Sequence, residues 1–324
     1  MPIDYPIPLA SKTAFENLAA GIKRNPGLIF DRFVPDTQEQ RDNGGQRNRE
    51  ETPKKHGLNA VRSASEKADS TLLVSCHTRW NETVKRYNAL IFDMSTDWRF
   101  VTGLGRKGPF EVGFTFNRYG FPYLPGSSVK GIARTKAFFD IAEKITEEGF
   151  KALFQKVYEN PSEQEIKEKK YTILTALDLS LSRDKDEQFE EEFKLCSRSS
   201  ECQDLARKFR KIFGNTGTAG GAVFFDAIPD SRILPVLDLD IINPHYPEYY
   251  EDIDGKKGKY PTDWQSPIPT YFLTVAPNTK FWFAVGRRSS LDMVAQDQTK
   301  NWLKAGLEKI GAGAKTSAGY GYFK

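Results

Sequence analysis

From residue 98 onward the hydrophobic pattern runs strand, helix, long insertion, strand, strand, helix, strand. Period-two alternation marks the strands and three-to-four-residue spacing marks the helices. Two glycine-rich stretches, 119–139 and 310–323, flank this half of the chain. Together these predict an α+β fold: a ferredoxin-like, RNA-recognition-motif-like βαββαβ core with large helical and irregular insertions. The expected organisation is an N-terminal helical region, 1–97, with a mobile insertion at 36–69. A core domain, 98–324, follows, with a helical insertion at 146–212 and a proline-rich arm at 229–269.

At 324 residues the chain can hold one large or two ordinary domains and bury a core without staples. Apolar residues are 39% and charged residues 28%, a balance that predicts a solvated insertion. The net charge is only +4, so a polyanion site must be a local concentration of cations. Cys76, Cys196 and Cys202 are too few and too odd for a disulfide framework and fit a reducing compartment. With no basic-then-apolar leader and no run of about eighteen apolar residues, a cytoplasmic protein is expected.

In chain order, 11–23 reads as a helix with Phe15, Leu18, Ala19 and Ile22 on one face. Residues 36–69 are almost free of large apolar groups and read as a solvated loop despite Arg41, Arg47, Arg49, Lys54 and Lys55. A long helix is expected over 70–91, with Trp80, Val84, Tyr87 and Ile91 at helical spacing. Strands are expected at 98–104 (WRFVTGL) and 111–116, where Val112, Phe114 and Phe116 alternate with smaller neighbours. In 119–139 (YGFPYLPGSSVKGIARTKAFF), Pro122 and Pro125 keep the preceding residues extended. Gly126 then permits a sharp turn, and Ser127 or Ser128 caps a helix that runs to about 145. Residues 146–212 are charged and helical in pattern; 213–221 (FGNTGTAGG) is a glycine turn, and 222–228 (AVFFDAI) is a central strand. The arm at 229–269 is irregular. Segments 271–275 and 280–285 read as paired strands, 291–310 as a helix and 319–323 as the last strand.

A helix start behind a glycine offers free N–H groups and the positive end of the helix dipole, which together favour an anion. Lys130 and Arg134, four apart, share one face near that start. The second stretch, 310–323 (IGAGAKTSAGYGYF), surrounds Lys315, Thr316 and Ser317 with small residues, the composition of a backbone anion cradle. Phosphate is the anion that fits both, and RNA the polymer. Phe121, Tyr123, Tyr320 and Tyr322 either stack bases or pack the core.

Other chemistries fit less well. Ala314 stands where a nucleotide-binding P-loop needs glycine before the lysine, and no helix follows. Cys196 and Cys202 are too far apart for a zinc knuckle. None of His56, His77 and His245 lies in a constellation that activates a nucleophile. No cofactor, metal or catalytic residue is therefore expected.

The run at 121–134 (FPYLPGSSVKGIAR) resembles the signature at the first helix of the RAMP superfamily of CRISPR systems. The run at 311–321 (GAGAKTSAGYG) resembles that superfamily's glycine-rich loop. With 101–105 (VTGLG), 242–246 (INPHY) and 267–274 (PIPTYFLT) the resemblance narrows to the sixth subunit of the type III-B Cmr effector, from about residue 98 to the end. It implies a non-catalytic backbone subunit that holds guide RNA near its 3′ end against target RNA. Other RAMP subunits and a small helical subunit would be its neighbours. Target cleavage belongs to another subunit. On that reading Ser127, Ser128, Lys130 and Arg134 contact the guide backbone. Lys315, Thr316 and Ser317 clamp phosphate, and Tyr320 stacks. The alternative within the superfamily is a metal-independent guide-processing endoribonuclease using His245 or His77.

Overall fold

The computed structural model describes residues 25–32, 53–110, 112–158, 173–196, 199–243, 245–246, 249, 260–261 and 269–324. The helix expected at 11–23 lies outside them, as does 36–52 of the expected insertion. The rest of that insertion is ordered: α2 (Pro53–Glu66) follows α1 (Pro26–Arg32) and packs on it. Its few apolar groups, Leu58, Val61 and Ala64, fall on one face and are buried. Amphipathic spacing outweighs low overall hydrophobicity there.

The next helix, α3 (Ser70–Arg86), starts at Asp69, whose carboxylate accepts from the Leu72 N–H at 3.1 Å. It stops short of the expected residue 91 because Asn88 takes a left-handed φ of 47°. Ile91 instead enters β1 (Leu90–Ser95), so the sheet begins ahead of the expected 98–104. That expected strand reduces to one bridge, Phe100 to Val275, and 112–116 to another, Phe116 to Pro122.

Helix α4 (Gly126–Ala142) leads into the charged insertion, which is helical where described: α5 (Glu147–Val157), α6 (Ile173–Leu181), α7 (Asp186–Cys196) and α8 (Ser200–Phe213). Leu153, Phe193, Phe209 and Ile212 form its buried seam. Cys196 and Cys202 form no disulfide and lie buried within it, and burial pushes Cys196 up to about 12.

The expected central strand at 222–228 is two short ones, β2 (Ala222–Phe224) and β3 (Ile228–Pro229), beside the true central strand β6 (Lys280–Arg287). Between them Leu124 exchanges two backbone bonds with Ala227, at 3.0 and 2.8 Å. On its other side β6 pairs with β1, antiparallel, from Leu90 opposite Val285 to Ser95 opposite Lys280. The C-terminal backbone pairs beyond the end of β1, with Thr96 opposite Phe323. The antiparallel spatial order is therefore C-terminal segment, β1, β6, β2.

Residues 229–269 are not wholly irregular. Leu237–Ile242 forms β4, antiparallel to β5 (Thr270–Val275) in a second sheet. The expected β5–β6 hairpin does not form. Thr96 lies between the two strands: its N–H donates to Thr279 O at 3.0 Å, its C=O accepts from Asn278 N at 2.8 Å, and its hydroxyl donates to Ala276 O at 2.9 Å. A non-local residue thus takes the groups a hairpin would have used.

Helix α9 (Met293–Lys309) is capped by Asp292, which accepts from Ala295 N at 2.8 Å. It packs on α4, on β6 and on β1. Trp302 donates from Nε1 to Asp140 of α4 at 3.1 Å, while Gly306 lies against Ile132. The two helices therefore run antiparallel, and the start of α4 and the end of α9 share one end of the pair. Among the described residues no helix is long and apolar enough to cross a membrane.

Candidate nucleic-acid interface

Helix α4 begins at Gly126, with Pro125, two residues before the nearer expected cap Ser127, in the cap position at φ −57° and no side-chain cap. A Cβ on Gly126 would lie 2.5 Å from Phe224 O, so only glycine lets the backbone pass. Ser127 and Ser128 are exposed in the first turn and do not cap it. The helix start is not a vacant anion site either. The Asp226 carboxylate accepts from the Gly126 N–H at 2.7 Å, and Ser128 and Val129 N–H both bond to Pro125 O. The chain supplies its own anion there.

One turn on, the two expected cations part. Arg134 turns to the helical insertion, where it pairs with Asp178, donates to Ser182 Oγ at 3.3 Å and lies over the Phe209 ring. In this structure its guanidinium is engaged within the fold. Lys130 instead donates from Nζ to Phe213 O at 3.0 Å. Burial, together with the charges of Arg134 and Arg288, lowers its pKa.

Lys130 lines a groove of about 320 Å³ with Phe213, Arg288 and the loop 215–220. The expected glycine turn is this groove's wall. Gly214, at φ 83°, turns the chain out of α8. Asn215 Oδ1 then accepts from Gly217 N and Thr218 N at 2.9 and 2.6 Å, and Gly221 N donates to Lys211 O at 2.8 Å. The wall is held in place by its own hydrogen bonds. Two cations thus face a polar hollow whose lining carries no acidic side chain. Arg288, in a run (RRSS) with no helical or strand period, gave no signal of its own in the sequence.

The C-terminal glycine loop is a second, separate cluster. It is tied down by Ala312 N to Gly321 O, Ala314 N to Val101 O and Gly321 N to Arg99 O, at 2.8, 2.9 and 2.8 Å. Lys315 adopts a left-handed φ of 60° and opens the 3-10 turn Thr316–Ala318. Its Nζ lies 5.3 and 5.5 Å from the Phe272 and Tyr320 ring centroids. Thr316 is half-buried and Ser317 exposed. Tyr320 is buried, so it presents no face to a base. Its hydroxyl donates to Asp240 at 2.6 Å, and Asp240 also pairs with Arg99. Burial and that carboxylate push Tyr320 up to about 12. Phe121 is likewise core, while Tyr123 and Tyr322 are half-buried. Trp98, exposed beside Tyr320, is the aromatic that sequence reasoning passed over as a strand residue.

His77 lies with its ring near Trp80 and Trp282, and its Nε2 is buried without a partner. Among the described residues no group of His, Cys, Asp and Glu side chains is arranged to hold a metal.

The RAMP superfamily model matches residues 92–324. The CRISPR system Cmr subunit Cmr6 of Pyrococcus furiosus is 33% identical over 247 residues, 75% of this chain and 69% of that protein. Its counterpart in Saccharolobus solfataricus is 25% identical over 244 residues, 74% of this chain and 58% of that protein. The crystal structure of the P. furiosus Cmr6 is 30% identical and covers 72% of this chain and 96% of its own, with a TM-score of 0.45. The superposition is loose, and the assignment rests on sequence. With a family model matching residues 92–324 and a third of the 247 aligned residues shared with a Cmr6 subunit, the chain belongs to the RAMP superfamily and, within it, to the Cmr6 subunits of the type III-B Cmr complex.

Proposed function

We propose that this subunit is a non-catalytic part of the complex's backbone, that it binds guide RNA near its 3′ end, and that it helps hold the guide–target duplex in antiviral defence. The observation that carries this reading is the acid-free groove in which Lys130 and Arg288 face the 215–220 loop. A phosphodiester there accepts from both cations, and Ser127 and Ser128, exposed on the adjoining turn, extend the contact. Lys315, Thr316 and Ser317 form a second phosphate clamp. Such contacts position a strand without reading its bases, so binding is sequence-tolerant. The spatial order C-terminal segment, β1, β6, β2 suits a ferredoxin-like core. The neighbours would be other RAMP subunits and a small helical subunit, in the cytoplasm.

The test is anisotropy of labelled guide RNA with the purified full chain across a salt series, with and without magnesium. Replacing both groove cations, Lys130→Gln with Arg288→Gln, should make the log–log salt slope shallower by about 1.4, two contacts at about 0.7 each for a single strand. An unchanged slope removes the groove from the path. A discrete cleavage product would make the chain a guide-processing ribonuclease.

A further inference from the structure

Most arginines described in this structure have a carboxylate partner. Arg62, Arg99, Arg106, Arg134, Arg183, Arg207, Arg210 and Arg232 each lie within 4.0 Å of an Asp or Glu oxygen. Arg79 and Arg118 do not, among the described residues; both converge on one phenol. Their guanidinium carbons lie 5.1 and 4.7 Å from the Tyr119 ring centroid. Arg118 also donates to the Tyr119 hydroxyl at 2.5 Å. Both arginines are exposed while Tyr119 is half-buried, so the ring is a shelf with two cations at its surface. Each guanidinium is drawn to the ring by a cation–π contact, so the ring gathers two positive charges at the surface.

The shelf is rigid. Asn117 Oδ1 accepts from Tyr119 N at 2.9 Å and Phe121 N at 3.1 Å, and Asn117 N bonds to Phe121 O. Arg79 projects from α3, a regular helix, one residue before Trp80. Trp80 Nε1 donates to Asp226 O at 2.9 Å, and the Asp226 side chain holds the first N–H of α4. This short relay ties Arg79 to the same helix start that Lys130 follows. Two cation pairs with no acidic partner among the described residues are thus each linked to one helix start, Arg79 through Trp80 and Asp226, and Lys130 along α4.

We propose that Arg79 and Arg118, braced on Tyr119, are a second phosphodiester fork. It receives the RNA strand where that strand passes the start of α4, away from the Lys130–Arg288 groove. Guanidiniums suit this role because each presents a planar pair of donors to phosphate oxygens, and both stay charged at any working pH. The proposal rests on the RNA-binding reading above and extends it to residues on α3 and the 117–121 turn.

The experiment uses the full chain and a fluorescein-labelled single-stranded RNA of the guide sequence, titrated at several salt concentrations. Arg79→Ala with Arg118→Ala should make the log–log slope shallower by about 1.4, while Arg79→Lys with Arg118→Lys should keep it near wild type. A merely structural role for the pair lowers affinity equally at every salt and leaves the slope alone, which would overturn the fork. An unchanged alanine variant would do the same, and if Lys130→Gln with Arg288→Gln still flattens the slope, the groove reading survives. If the alanine variant binds RNA normally but fails to enter the reconstituted complex, the partner is an acidic protein surface and the proposal is wrong. Absence of RNA binding by the wild-type chain overturns both readings.

Discussion

A single methyl group at Gly313 should unfasten the C-terminal loop. Gly313 sits at φ 76°, and a Cβ built there would lie 2.0 Å from Val101 O. That carbonyl is the acceptor for Ala314 N–H at 2.9 Å, so the obstructing atom is also the loop's anchor. The left-handed conformation costs an L-residue about 1–2 kcal/mol. Displacing the Val101 carbonyl sacrifices a hydrogen bond of about 1 kcal/mol. Gly313→Ala should therefore destabilise the fold by about 2–3 kcal/mol in urea unfolding, with little change in the denaturant slope. Gly108→Ala is the control, because nothing lies within 4 Å of its Cβ and its φ is not in the left-handed range. It should be neutral or stabilising by up to about 1 kcal/mol. A Gly313→Ala midpoint indistinguishable from that of Gly108→Ala would refute the close-approach reasoning.

Two further outcomes follow from the helices. Gly131 lies inside α4 with nothing within 4 Å of its Cβ, so Gly131→Ala should raise stability by about 0.5–1 kcal/mol in the same assay. His77 has its pKa lowered from 6.5, chiefly by burial, so the folded protein resists a proton that the unfolded chain accepts. As pH falls through 6.5 toward the lowered folded value, the unfolded state binds more protons and stability declines. His77→Phe should flatten that part of the melting-temperature profile; an unchanged acid slope would show that other groups set it.

How much of this was legible beforehand depended on whether a segment's partner was local. α4, α9 and the helices of the charged insertion followed from spacing, because an amphipathic helix carries its own signature. β1 did not: LIFDMS follows an amphipathic helix directly, and Ile91 continues the helical register on paper. Only the left-handed Asn88 ends it. β4 was hidden because LDLDII sits amid prolines and acidic residues. β5 and β6 were recognised as strands but given to each other, since nothing local reveals that Thr96 lies between them. The site behaved similarly. Lys130 and the glycine loop stand out by composition, while Arg288, Arg79 and Arg118 are distinguished only in space, by having no acidic partner among the described residues. Arg134 and Tyr320 look like ligand contacts in a string of letters, yet Asp178 and Asp240 claim them in space.

On the RNA-binding reading, Asp226 would give the interface a threshold. A helix end already occupied by an internal carboxylate has little to offer phosphate, chloride or a free nucleotide. Such small anions would gain one weak contact while facing the carboxylate's repulsion. A polymer is different, because consecutive phosphates can reach cations on either side of the guarded position at once. On the RNA-binding reading, the resident carboxylate would favour length in what the helix end holds. It would let the subunit ignore the small anions of its surroundings and hold a strand that spans the whole helix end.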